Sequence, residues 1–234
     1  SLDANTTGHC NTGSGYATLG ANTTGSNNVA VGWRALCANT TASNNTAVGR
    51  QALKATTTGN NNTAMGINTM ITNTTGVENT AYGSETLNQN STGGCNTAVG
   101  SSSLYANTAG GCNSTVGFGT LRLNTTGNKN TAVGYYALFN NTTASYNTAV
   151  GACTLFANTT GANHVAIGYQ ALKANSCGQQ NTAIGYQSML SNSTGGCNVA
   201  VGSSALRNNT TGYCNTAVGV YALCLNTTGY RNVS

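Results

Sequence analysis

Large aliphatic positions return along this chain every 17 residues, a period that fits neither a helix nor an alternating strand. Leucine or methionine stands at Leu19, Leu36, Leu53, Met70, Leu87, Leu104, Leu121, Leu138, Leu155, Leu172, Met189, Leu206 and Leu223, with no insertion or deletion between copies. Four places ahead of each lies a glycine, from Gly15 and Gly32 through to Gly219, usually preceded by Val. The unit reads Asn-Thr-Ala-Val-Gly-x-x-Ala-Leu-x-x-Asn-Thr-Thr-Gly-x-x. Two short β-prone pieces, each closed by Gly, predict one coil of an all-β parallel solenoid, in which each coil pairs with the same residues of the next. At 17 residues per coil the 234 residues make about 14 coils, a single uninterrupted repeat domain over 1–234. A hairpin meander would instead carry Asn-Gly or Asp-Gly turns, and neither dipeptide occurs.

Charge sorts the columns. The 8 basic and 3 acidic residues fall only one, two, five or twelve places after a repeat glycine, so those columns are solvated corners. The Leu column and the Val column before the glycine carry no charge and are expected to form the core. The Ala between Thr and Val is then expected to face outward, small enough for another chain to approach closely. In the column seven places after the glycine, Asn fills every copy but one, where Thr56 stands. Stacked amides can hydrogen-bond along the axis, so this column reads as a ladder.

Composition narrows the function classes. With 31 Gly, no Pro and 5% charged residues the chain is no helical bundle and no ordinary disordered segment. A net charge of +5, spread thinly, leaves no nucleic-acid footprint. No apolar run approaches the roughly 18 residues of a membrane span, so no membrane insertion is expected. Asp3, Glu78 and Glu85 lie in three different columns and the two His, His9 and His164, are isolated, so no catalytic, metal or cofactor site is expected.

Three groups of residues are candidates for chemistry. Cys95 and Cys112 share a corner column on adjacent coils, as do Cys197 and Cys214. A rung spacing of about 4.8 Å is compatible with a disulfide, so both pairs are candidate staples. Asn-Thr-Thr is formally a glycosylation sequon, at Asn22, Asn39, Asn124, Asn141, Asn158, Asn209 and Asn226, although crowding and the ladder both weigh against its use. Tyr16, Trp33, Phe118, Tyr135, Tyr169 and Tyr186 follow the repeat glycine directly and form an aromatic stripe, suited to a partner chain or to sugar faces.

Asn198 to Gly202, reading Asn-Val-Ala-Val-Gly, resembles the head repeats of trimeric autotransporter adhesins. The longer Gly-Tyr-Gln-Ala-Leu with Asn-Thr-Thr-Gly is similar to repeats of bacterial and phage tail-fibre proteins. The resemblance covers the whole chain. It implies a left-handed roll in an extracellular, non-enzymatic rod of identical chains, a trimer or a helical filament, on a cell surface or virion, with cell-surface glycans as a further partner. Because the chain begins and stops inside a repeat, it is expected to be a slice of a longer fibre. A secreted self-assembling filament and an ice-binding solenoid are the alternatives. The latter is disfavoured here because no strand offers an outward Thr-x-Thr pair.

Overall fold

A computed structural model describes residues 1–234. The chain is a parallel β-solenoid with 13 short strands and no helix. Its residues group into two compact units, 1–113 and 114–234. The first holds β1 (Thr12–Ser14), β2 (Val29–Val31), β3 (Thr46–Val48), β4 (Thr63–Met65), β5 (Thr80–Tyr82) and β6 (Thr97–Val99). The second holds β7 (Ser114–Val116), β8 (Thr131–Val133), β9 (Thr148–Val150), β10 (Val165–Ile167), β11 (Thr182–Ile184), β12 (Val199–Val201) and β13 (Thr216–Val218). Within each unit neighbouring strands pair in parallel at a 17-residue offset, so Ala47 meets Ala64 and Ala183 meets Ala200. Leu53 donates its N–H to the carbonyl of Thr69, beside Met70, at 3.1 Å, which fixes the Leu ladder in the same register.

Two expectations about the coil need correction. Asn-Thr-Thr-Gly is not a second strand. It is a turn whose Thr23, Thr24 and Gly25 N–H groups, with the Thr23 hydroxyl, all point at the Thr40 carbonyl one coil on, at 2.9 to 3.4 Å. One carbonyl therefore collects the donors that a strand would spread over several acceptors. The strand is also turned the other way round. Ala30, Ala47, Ala132, Ala183 and their column are completely buried, while the flanking Val and Thr face outward. Val133 is 37% exposed and Val116 47%. Volume is the reason. The coil is closed by three residues of strand on one side and by leucine on the other, and the space left opposite the ladder takes a small side chain, Ala in most coils and Thr at Thr115, which is equally buried.

The core consequently differs from the expected Leu and Val. Leu19 through Leu206 are fully buried, and only Leu223 in the last copy is partly exposed. Beside them run the Ala column and two ladders of buried Asn. In the first ladder Asn39 Nδ2 donates to Asn22 Oδ1 at 2.6 Å and to the Ala42 carbonyl at 3.0 Å. In the second, Asn62 Nδ2 donates to the Gly76 carbonyl at 2.9 Å, and its Oδ1 accepts the N–H of Asn79 at 3.0 Å. Each amide thus closes its own corner and binds the neighbouring coil, which makes a polar side chain acceptable in so thin a core.

Thr56 breaks the first ladder. Its hydroxyl sits 3.5 Å from Asn73 Nδ2 and offers nothing to the coil on its other side, so Asn39 Oδ1 is buried without a hydrogen-bond partner. An unmet buried acceptor costs about 1–3 kcal/mol. Thr56→Asn should therefore stabilise the chain by about 1–2 kcal/mol in urea unfolding. An unchanged or lower midpoint would show that the gap in the ladder carries no penalty.

Corners are the third difference. Glycine does close one of them: Gly49 has φ +132°, and a Cβ there would come 2.4 Å from the Gly66 carbonyl oxygen. Three further columns are left-handed with ordinary side chains, including the Leu ladder itself (Leu36 φ 47°, Leu53 φ 50°). Such a residue costs on the order of 1 kcal/mol. The cost is offset because the same twist aims its N–H at a neighbouring coil, as from Leu36 to the Ala52 carbonyl at 3.0 Å and from Arg34 to the Tyr16 carbonyl at 2.8 Å.

Candidate functional site

With Ala inside, the outward strand face carries Thr or Val in one column and Val or Ile in the next. In the second unit this face runs from β7 to β13 as Ser114 and Val116, Thr131 and Val133, Thr148 and Val150, Val165 and Ile167, Thr182 and Ile184, Val199 and Val201, Thr216 and Val218. None of these side chains is charged. In the first unit the same face is interrupted by Met65 and Tyr82. Sequence patterning missed this surface because it assigned Val to the core; the signal available was the alternation of the three strand residues, read in the opposite phase.

The aromatic stripe lies at the edge of this face, and all six of its rings are exposed. In the first unit Tyr16 stands 73% exposed. Trp33 has the guanidinium groups of Arg34 and Arg50 each 5.3 Å from its ring centre, so its faces are taken by cations. In the second unit Phe118 stacks on Tyr135 at 5.8 Å and Tyr169 on Tyr186 at 5.6 Å, with 15° between the planes of each pair. Ala152 separates the two pairs. Within each pair the rings are close to parallel, and each remains about half exposed.

Neighbouring columns extend the first pair into a cluster that the sequence reading did not single out. Tyr136 lies 4.1 Å from Tyr135 and 4.8 Å from Phe139, and Phe139 stacks on Phe156 at 5.3 Å. Gly119 makes room for it. Its column is otherwise left-handed with a side chain, and a Cβ on Gly119 would fall 2.5 Å from the Tyr136 ring.

The sequon asparagines are corrected by burial. Asn22, Asn39, Asn124, Asn141, Asn158 and Asn209 are completely buried, and Asn226 in the last copy is half-buried. Their amide nitrogens, the atoms that would bear a glycan, donate to corner carbonyls inside the coil, as from Asn158 to Gly161 at 2.9 Å and from Asn226 to Gly229 at 3.4 Å. The folded chain therefore offers no acceptor at these positions.

His164 takes an Asn place in the second ladder. Nδ1 accepts the N–H of Asn181 at 3.2 Å, and the ring also hydrogen-bonds the Gly178 backbone, so its two nitrogens reproduce the oxygen and nitrogen of the amide they replace. Burial pushes its pKa down to about 4. The ring is a neutral core group with no nucleophile beside it.

All nine cysteines are thiols in this structure, and Cys95, Cys112, Cys197 and Cys214 sit at exposed corners. Asp3, Glu78 and Glu85 remain apart, and no group of three His, Cys, Asp or Glu comes together. A shallow depression of about 390 Å³ is lined by Thr211, Tyr213, Cys214, Thr228, Tyr230 and Arg231, a set without a carboxylate or imidazole. No helix is long and apolar enough to cross a membrane. No family model matches the chain, and no curated protein or solved structure matches it.

Proposed function

We propose that this chain is a shaft segment of an extracellular fibre, a surface adhesin or tail-fibre-like rod, whose work is to hold a fixed spacing. The observation that carries this reading is the division of labour within each coil. The inward columns repeat almost without change, while variation in charge is confined to outward corners and most variation in size to outward positions. Each added coil extends the structure by one rung and adds the same Leu, Ala and Asn contacts, so length is gained without new core design. Rigidity, and no bond-breaking chemistry, is the mechanism. Identical chains are the partners this reading favours, seated against the uncharged Val and Ile columns and the aromatic edges.

An antibody raised against the chain tests the reading in the cells or virions that produce it. Immunogold label should decorate thin extended appendages outside the envelope or on the particle. Label confined to the cytosol would refute it.

The outward face of β7 to β13 favours a second reading as an ice-binding surface. Its hydroxyl and methyl groups repeat in two uncharged columns, each strand pairing Ser, Thr or Val with Val or Ile and none offering Thr-x-Thr. Thermal hysteresis of the purified protein, abolished by Thr148→Lys with Val150→Lys, would support it, and freezing at the buffer's own melting point would exclude it.

A further inference from the structure

We propose that Cys95 with Cys112, and Cys197 with Cys214, are modification sites at which a small-molecule disulfide closes a covalent staple between adjacent coils. In each pair both residues hold the same left-handed conformation (φ 57° to 58°) at equivalent corners. The backbone of each is tied to a neighbouring coil, with N–H bonds from Cys95 to Val77 and from Cys112 to Gly94 at 3.0 Å, and from Cys197 to Gln179 and Cys214 to Gly196 at 2.9 and 3.1 Å. Equivalent atoms on successive rungs lie about 4.8 Å apart, within the Cα separation that a disulfide spans. All four residues are exposed to a reagent.

The sequence around them supplies a second, independent observation. Gly-Gly occurs three times in this chain, at 93–94, 110–111 and 195–196, and each time a cysteine of these pairs follows. Equivalent β-carbons on stacked rungs stand about 4.8 Å apart and must close to about 3.8 Å to bond. A glycine immediately before the cysteine supplies that slack where a side chain would crowd it: a Cβ on Gly196 would come 2.9 Å from the Tyr213 ring and 3.0 Å from the Gln179 carbonyl. Cys10 shares the column but has no cysteine on the next coil, and serves as an internal control.

With oxidised glutathione as the co-reactant, one cysteine thiolate attacks a glutathione sulfur and expels one glutathione thiolate, leaving a mixed disulfide. The second cysteine attacks the protein sulfur of that intermediate and expels the other. Two protein thiols lose their protons, one S–S bond forms, and the reagent is reduced to two thiols. The two pairs differ in one neighbour. Cys95 donates to the Glu78 carboxylate at 3.4 Å, which raises its pKa, whereas Cys197 donates to the neutral Gln180 side chain at 3.3 Å. Since the thiolate is the nucleophile, the pair at 197 and 214 should close faster than the pair at 95 and 112.

The test incubates the whole protein with oxidised glutathione at pH 8, quenches with acid, and follows intact mass and non-reducing peptide maps. Two intramolecular links should form, Cys197–Cys214 several-fold sooner, and Glu78→Gln should bring the two rates together. Cys112→Ser and Cys214→Ser should each retain glutathione on the remaining cysteine of the pair. If all the thiols can still be alkylated after prolonged exposure, or if the mapped links join different molecules, the proposal is wrong. A Cys197–Cys214 link that forms no faster than Cys95–Cys112 overturns the role given to Glu78.

Discussion

Ala183→Lys is expected to unfold the coils around it, while Ile184→Lys, one residue further along the same strand, leaves them folded. Ala183 is completely buried, with Ala166 on one side and Ala200 on the other in register. A lysine there has no route to water, because the coils that flank it fill the interior above and below. An unpaired charge in such a place costs at least about 3 kcal/mol, and the added volume costs more. Ile184 points the other way, so lysine at that position keeps its ammonium in water and changes stability by less than about 1 kcal/mol. Urea unfolding of the two variants should separate them by at least about 3 kcal/mol. Amide hydrogen exchange should place the loss at β10 to β12. Because coils contribute through their nearest neighbours, the damage should fade within a few rungs. The reverse ranking would mean that Val and Ile, and not Ala, line the interior.

Acid should loosen the second unit through one residue. In the unfolded chain His164 takes up a proton near its ordinary pKa of 6.5, whereas in the folded chain it does so only near 4. Above pH 6.5 both states hold the neutral ring and its contribution is intact. As the pH falls from 6.5 towards 4 the unfolded state binds the proton and the folded state does not, so stability declines across that window by roughly 3 kcal/mol. His164→Asn restores the residue type of its column, with the same acceptor for Asn181 and a donor for Gly178. It should flatten the pH dependence between 6.5 and 4 while leaving stability at pH 8 nearly unchanged. A variant that loses stability with acid as steeply as the parent would show that the ring is already charged, or reached by water, in the fold.

The sequence by itself determined the period, the parallel register, the absence of helix, the Leu ladder and the first Asn ladder. Stacking makes this possible: a residue type that suits one rung suits the equivalent place on every rung, so the periodicity of the fold is written directly in the periodicity of the chain. Leu53 beside Met70, and Asn39 beside Asn22, could be read in this way without coordinates. Only the tertiary structure decided which face of the strand points inward, because hydrophobicity ranks Val above Ala for burial while the space across the coil is set by the leucine opposite and is filled by Ala in most coils and by Thr115 in one. The same holds for the left-handed corners at Leu36 or Arg34, whose strain is offset by bonds to a coil that local propensity cannot see. Tyr136 lying over Gly119 likewise depends on how far one rung stands from the next and in which direction each corner aims its side chain.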